Sequence, residues 1–243
     1  MAASGADSAK GTVLVRNTYI IGEVSNITGV GLSTDTVEVT HYASDDGYKE
    51  FVQTFRDGGE VTLEGNLEAA DTNGQMAIDT DMNAGTRQSW RVIFPVLAVA
   101  DWNFYGIVTA YESTQGADGV IGFTTTIKIT SKPTMNTTAN AGLTTPYFSI
   151  DDNSDNTVAP SPAAASGTYD YTATALTGAT SVNVTVTATA GTIYVDGTEV
   201  ATTEESGSIT LGDAGTETEV YIWIYEASKC SKVYWINILR AAS

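Results

Sequence analysis

Cysteine and histidine are almost missing from this 243-residue chain, which has one of each, Cys230 and His41. A single cysteine excludes an intrachain disulfide framework and is expected to be a small strand residue without a redox role. A single histidine excludes every site that needs two, and no HExxH or zinc-knuckle spacing occurs. His41, beside Thr40 at a strand end, is expected to be structural. Basic side chains are scarce as well. Lys+Arg number 11 against 29 Asp+Glu, for a net charge of -18 and a pI near 4.1. Such a chain does not wrap nucleic acid or dock on an anionic membrane, because both need cationic patches. A conduit through which DNA merely passes is still allowed. No window reaches the ~18 consecutive apolar residues of a membrane span. The opening MAASGADSAKGTVLV has no basic stretch followed by a long apolar run, so no secretory signal is expected and synthesis in the cytoplasm is.

Signatures of chemistry are equally sparse. There is no GxSxG nucleophile elbow. Gly29-Val30-Gly31 has no third glycine in place and no helix after it, which argues against a nucleotide loop. The run Asp151-Asp152-Asn153-Ser154-Asp155-Asn156 has oxygen ligands at alternate positions, as at the start of an EF-hand. Asn156 stands where glycine is needed and Pro162 where the closing glutamate is needed, so a solvated segment is expected and no metal. Trp90, Trp102, Trp223 and Trp235 could form a sugar platform, but in strands they are expected in the core. Glu38, Glu60 and Glu64 could pair as catalytic carboxylates, but one wet strand face accounts for them. No catalytic residue, cofactor or metal is assigned.

What the chain does contain is strand. Hydrophobic residues make up 42% and mean hydropathy is -0.04, enough for an ordinary core. Segments 18–24, 35–40, 60–66, 88–95, 103–112 and 120–131 are rich in Val, Ile, Thr, Tyr and Phe. Several alternate with a period of two, which puts one face in a core and leaves the other wet. Val37 and Val39 oppose Thr36, Glu38 and Thr40. Val61 and Leu63 oppose Glu60, Thr62 and Glu64. Phe123, Thr125, Ile127 and Ile129 oppose Thr124, Thr126 and Lys128. Only 71–84 looks helical, and Met76 and Met82 do not fix its buried face. Residues 41–59, HYASDDGYKEFVQTFRDGG, form an excursion far longer than a hairpin loop. Its aromatics suggest a docking surface, or a flap folded back on its own sandwich.

The stretch 151–167 (DDNSDNTVAPSPAAASG) has no periodicity and reads as a linker stiffened by Pro160 and Pro162. It divides the chain into a body, 1–150, and a smaller unit, 168–243. Residues 1–150 carry 8 basic and 17 acidic side chains, and 151–243 carry 3 and 12, so each part has a net charge of -9. The smaller unit reads as short strands at 169–175, 181–189, 192–195, 207–211, 217–226 and 232–239. Asp196-Gly197 is a strong two-residue hairpin turn. This fits a small immunoglobulin-like sandwich. The fold class expected is all-β with one short helix.

Residues 20–66 resemble the major tail tube proteins of long, non-contractile bacteriophage tails, the lambda-like tail tube family. The resemblance lies in an ordered set: a strand ending in Val39-Thr40-His41, an acidic Asp45-Asp46-Gly47 turn, the patch Tyr48-Lys49-Glu50-Phe51, then Asp57-Gly58-Gly59 and the strand Glu60-Val61-Thr62-Leu63-Glu64-Gly65. The helix-like 71–84 and Ser89-Trp90-Arg91-Val92-Ile93-Phe94-Pro95 follow in the family's order, so the likeness spans about 17–135. The unit 168–243 is similar to the cadherin-like or bacterial immunoglobulin-like sandwiches appended to such proteins.

The resemblance implies a structural virion protein made in the bacterial host cytoplasm. Hexameric rings would stack into a tube with an inner β-barrel, through which DNA passes into the host without specific binding. The partners implied are the chain itself, tail terminator, baseplate or tip, and tape measure proteins, with no membrane insertion. The loop 41–59 would reach the adjacent ring through Tyr42, Asp45, Asp46, Tyr48, Lys49, Phe51, Phe55 and Arg56. The arm 1–17 would do likewise. Glu38, Glu60, Glu64, Thr62, Thr124 and Thr126 would face the lumen, with Thr36 beside them. The second sandwich would decorate the outside, with at most a weak cell-surface contact. The competing class is a secreted adhesin or carbohydrate-binding module of two sandwiches.

Overall fold

The computed structural model describes residues 11–42, 44–95, 99–115 and 119–242, and of Asp45 the backbone alone. Its first half is built on one antiparallel sheet. The strands are β1 (Val13–Arg16), β2 (Tyr19–Ile20), β3 (Val24–Gly29), β6 (Glu60–Asn66), β7 (Gln88–Ile93), β8 (Asp101–Thr114), β9 (Gly122–Ile129) and β10 (Thr134–Asn136). They lie in the order β2-β1-β7-β8-β9-β6-β3, and β10 continues alongside β8. Two further strands, β4 (Ser33–Glu38) and β5 (Phe51–Asp57), pair only with each other. Residues 13–16, expected in an irregular arm, are a strand of the sheet because Leu14 and Val15 are fully buried. The rest of that arm, 1–10, lies outside the described residues.

One face of the sheet is apolar. Leu14, Val61, Leu63, Trp90, Phe104, Phe123 and Ile127 form one core with Ile78 of the helix α1 (Gln75–Ala84). The helix starts at Gln75, four residues later than its sequence suggests, because the Asp71 carboxylate accepts the backbone N–H groups of Gly74 and Gln75 at 2.8 and 2.9 Å. It ends at Gly85 in the left-handed conformation. Arg16 of β1 grips the buried Asp81 of the helix with two nitrogens, which ties helix to sheet edge.

The second half is a two-sheet sandwich. Its strands are β11 (Leu143–Asp152), β12 (Pro160–Ser161), β13 (Asp170–Ala175), β14 (Ser181–Ala188), β15 (Thr192–Val195), β16 (Thr198–Val200), β17 (Ile209–Thr210), β18 (Glu217–Tyr225) and β19 (Lys232–Arg240). One sheet runs β11-β14-β17 and the other β12-β13-β19-β18-β15-β16. Ile150, Val184, Ile222 and Ile236 are among the fully buried side chains between them. The turn between β15 and β16 has Asp196 and Gly197 at φ 46° and 77°, as a two-residue hairpin requires.

The stretch 151–167 is not a tether. Its start completes β11, its middle supplies β12, and Val158 is in the core. The Tyr171 hydroxyl accepts from the Ala165 N–H at 3.1 Å. The acidic run is closed on itself, since Asp152 accepts from the backbone N–H groups of Ser154 and Asn156, each at 2.9 Å. This hydrogen bonding holds its carboxyl below the usual carboxylate range. A body ending at 150 would cut β11. The sandwich starts at Leu143, because Leu143 and Phe148–Asp152 pair with β14. The composition misled because polar loops and short β-bulged strands share the same residue types.

Candidate functional site

The hairpin of β4 and β5 is the first feature that a single subunit does not explain. Every residue in both strands is exposed. Thr36 pairs with Gln53, Val37 with Val52 and Glu38 with Phe51, so cross-strand neighbours stand together on two faces, and neither face meets a core. A lone two-stranded hairpin is marginal in water. Its neck is narrow. A side chain at Gly29 would come within 2.1 Å of the Glu60 carbonyl oxygen, and one at Gly59 within 2.4 Å of the Gly31 carbonyl oxygen. Both glycines have positive φ.

The segment 41–59 is therefore half strand: β5 begins at Phe51, and the tip is a single 3₁₀ turn, Asp45–Gly47. The excursion does not fold back on the sheet. Phe55 is 84% and Tyr48 76% exposed, and Tyr42 and Phe51 are exposed too. Lys49 pairs with Glu38 at 2.8 Å, and Arg56 reaches Gln53 at 3.4 Å. Asp46 lies on the exposed tip, and the Asp45 side chain lies outside the described residues. His41 sits near the tip with Nδ1 3.3 Å from the Ser44 hydroxyl.

The second feature is the polar face of β6 and β9. Register places Glu60 opposite Lys128, Thr62 opposite Thr126 and Glu64 opposite Thr124. Five of the six expected lining residues thus share one face, along with Lys128. Glu38 does not belong with them: it is on the hairpin, where the Lys49 ammonium lowers its pKa. Sequence missed Glu112, which stands opposite Thr124 on the other side of β9. Phe104 and Val108 of β8 face the core, yet Ala110 and Glu112 align with the polar residues Thr126 and Thr124. A β-bulge between Val108 and Ala110 switches the parity of the strand. Asp57 also reaches this face and bonds Lys128 at 2.9 Å, which lowers the Asp57 pKa and raises that of Lys128.

The third feature is the junction of body and sandwich. Val15, Ile20 and Ile93 pack against Trp223 and Val233. Beside them Asp101, wholly buried, accepts from Arg91 at 2.8 Å, from the Asn136 amide at 2.7 Å and from the Ser231 backbone N–H at 2.8 Å. Asn136 also donates to the Lys229 carbonyl at 3.3 Å. The sandwich is docked against the body, and does not hang from it.

Acidic groups also meet at this junction. Glu23, Glu68 and Asp71 of the body border the same cleft as Asp196 and Glu219 of the sandwich. Burial, opposed by the Tyr221 N–H bond and helped by Glu219, pushes Asp196 up to about 6. Burial and the neighbouring Glu23 and Glu68 raise Glu219. Burial, then Asp71 and Glu23, raise Glu68. All three pKa values lie above those of the unfolded chain, so the stability they contribute is lost as pH rises; for Asp196 it is fully present below about pH 4 and is lost as pH rises through about 6. Asp196→Asn keeps the acceptor for Tyr221 and suits the turn. It should raise the melting temperature at pH 8 by several degrees, equivalent to roughly 1–3 kcal/mol, and by almost nothing at pH 3. An equal gain at both values would show that charge is not the cause.

The sequence model of the lambda phage tail tube protein family matches residues 4–136. The chain belongs to that family: it is a structural protein of the phage tail tube, and its place is the virion tail. Similar solved structures include the virion of a native gene transfer agent particle, at 16% identity and TM-score 0.46, covering 54% of this chain and 98% of that one. The tail of an empty gene transfer agent particle, refined with C6 symmetry, is similar at 14% identity and TM-score 0.45, covering 53% and 98%. A sheath/tube terminator structure of an extracellular contractile injection system is similar at 12% identity and TM-score 0.45, covering 54% and 96%. No curated protein matches the chain.

Proposed function

We propose that six copies close into a ring through their sheet edges and that rings stack through the β4–β5 hairpin, forming a hollow tube for DNA. The observation that carries this reading is the hairpin, whose two faces are both exposed and both bear apolar side chains. Only another copy of the tube wall gives such a hairpin a core. The sheet edges β2 and β3 invite pairing across subunits, and ring closure removes them. Tail terminator, tip and tape measure proteins are the partners at the ends and in the bore. The sandwich, docked on the body, decorates the outside.

The polar face of β6, β9 and the end of β8 is the proposed lumen wall. It carries Glu60, Glu64 and Glu112, with Lys128 held by Asp57. A wall that repeats these carboxylates around the ring repels phosphate and does not retain it. Screening limits the field to about 8 Å at physiological salt, so phosphates near the wall feel it most. Changing Glu64 and Glu112 to Lys should leave fold and assembly intact and slow DNA ejection from assembled particles, because each cation that meets a phosphate releases counterions. Ejection at the parental rate, or labelling of Glu64→Cys from outside intact tubes, would put this face elsewhere.

A further inference from the structure

Between body and sandwich lies an open groove of about 660 Å³, bordered by Arg87, Arg91, Tyr105, Lys132, Tyr194 and Tyr225 among others. In a protein with 29 acidic residues, none of them lines this groove. Arg87 and Lys132 form no ion pair among the described residues. Arg91 is already neutralised from below by Asp101, so the groove has two uncompensated cations.

Its aromatic lining is ordered. Tyr194 stacks on Trp223 with centroids 4.8 Å apart, and Tyr225 leans on Trp223 at 5.8 Å. The Arg91 guanidinium lies 4.6 Å over Tyr225, and that of Arg87 lies 4.4 Å over Tyr105. Tyr105 is 49% exposed. The buried indole N–H of Trp223, one of the lining residues, has no hydrogen-bond partner. Asn103 adds an amide to the lining.

Tyrosine faces, unpaired cations and amides in a cleft of ligand size suit a sugar ring that bears a carboxylate. The Tyr194 pKa is raised by burial first and by the nearby Glu199 second, and the chain as a whole carries a net charge of -18, which disfavours a long polyanion. We propose that this groove binds a short acidic saccharide, one or two pyranose rings long, with its carboxylate on Arg87 and Lys132 and its ring faces on the tyrosines. This assignment is independent of the stacking role of the hairpin. Ser131 and Lys132 also border the furrow at the hairpin base, so the tip of a second copy, with Tyr42, Asp46 and Tyr48, is the competing occupant.

The test is titration of the full chain, followed by tryptophan fluorescence and calorimetry, with digalacturonate, N-acetylneuraminate, neutral galactobiose and a peptide of residues 39–50. The groove as assigned binds at least one acidic sugar saturably and at least tenfold more tightly than galactobiose. The affinity falls at least tenfold in Arg87→Gln/Lys132→Gln and weakens with added salt. Tyr105→Ala weakens it while leaving the melting temperature within a few degrees. No saturable binding of either acidic sugar at millimolar concentration, equal binding of galactobiose, or preferred binding of the peptide would overturn the assignment.

Discussion

Replacing Tyr48, Phe51 and Phe55 with alanine will give a monomer that melts like the parent and does not polymerise. All three side chains are exposed, Phe51 at 57%, so their removal costs the isolated subunit little. Covering each in an interface removes on the order of 100 Å² of apolar surface from water, or about 2.5 kcal/mol at ~25 cal/mol per Å². Even if only ~4 kcal/mol of the total is realised per contact, the concentration needed for association rises about 1000-fold. The contact repeats in every subunit, so the polymer feels it many times over. Sedimentation of concentrated protein, with a thermal melt as the control for folding, decides the matter. Tubes at parental yield would show that the hairpin does not hold rings together.

Asp101→Ala will be the most destabilising of the single changes considered. It leaves Arg91, only 7% exposed, without its carboxylate, removes the shorter of the two acceptors of the Asn136 amide, and strands the Ser231 N–H. Breaking one side of a buried ion pair costs about 3–5 kcal/mol. For a chain of this size that lowers the melting temperature by roughly 6–20 °C. The double change Asp101→Ala/Arg91→Met removes both charges and should recover part of the loss. A single variant that melts within two degrees of the parent would mean that the junction does not depend on this pair.

Much of this architecture is legible in the sequence where burial on one face imposes a period of two. Val61 and Leu63 against Thr62 and Glu64, or Phe123 and Ile127 against Thr124 and Thr126, fix both the strands and the polar face they share. The same rule misled at the hairpin. Val37 alternates as if it faced a core, yet it is 53% exposed, because a period of two records a strand with two unlike faces and does not say what covers either of them. Glu112 was hidden by the bulge at Val108–Ala110, which reverses the parity of β8 and leaves no mark in local composition. The junction was invisible for a different reason. Arg91, Asp101, Asn136 and Ser231 are spread over 140 positions, and nothing in their local sequence ties them together. The start of the helix was not legible either: Asp71 accepts from the Gly74 and Gln75 N–H groups from outside the helix, with Gly74 at the cap position, so the acidic residue that looked like the first helical one belongs to the turn before it.

The central claim is that the exposed hairpin finds its core in another subunit of a hollow tube. A cryo-electron microscopy reconstruction of the polymer formed by concentrated full-length protein tests it most directly. The account predicts a six-fold tube in which Phe51 and Phe55 are buried against a neighbouring subunit and Glu60, Glu64 and Glu112 face the bore. Monodisperse particles at high concentration, or a tube in which the hairpin stays in solvent and that polar face points outward, would contradict it.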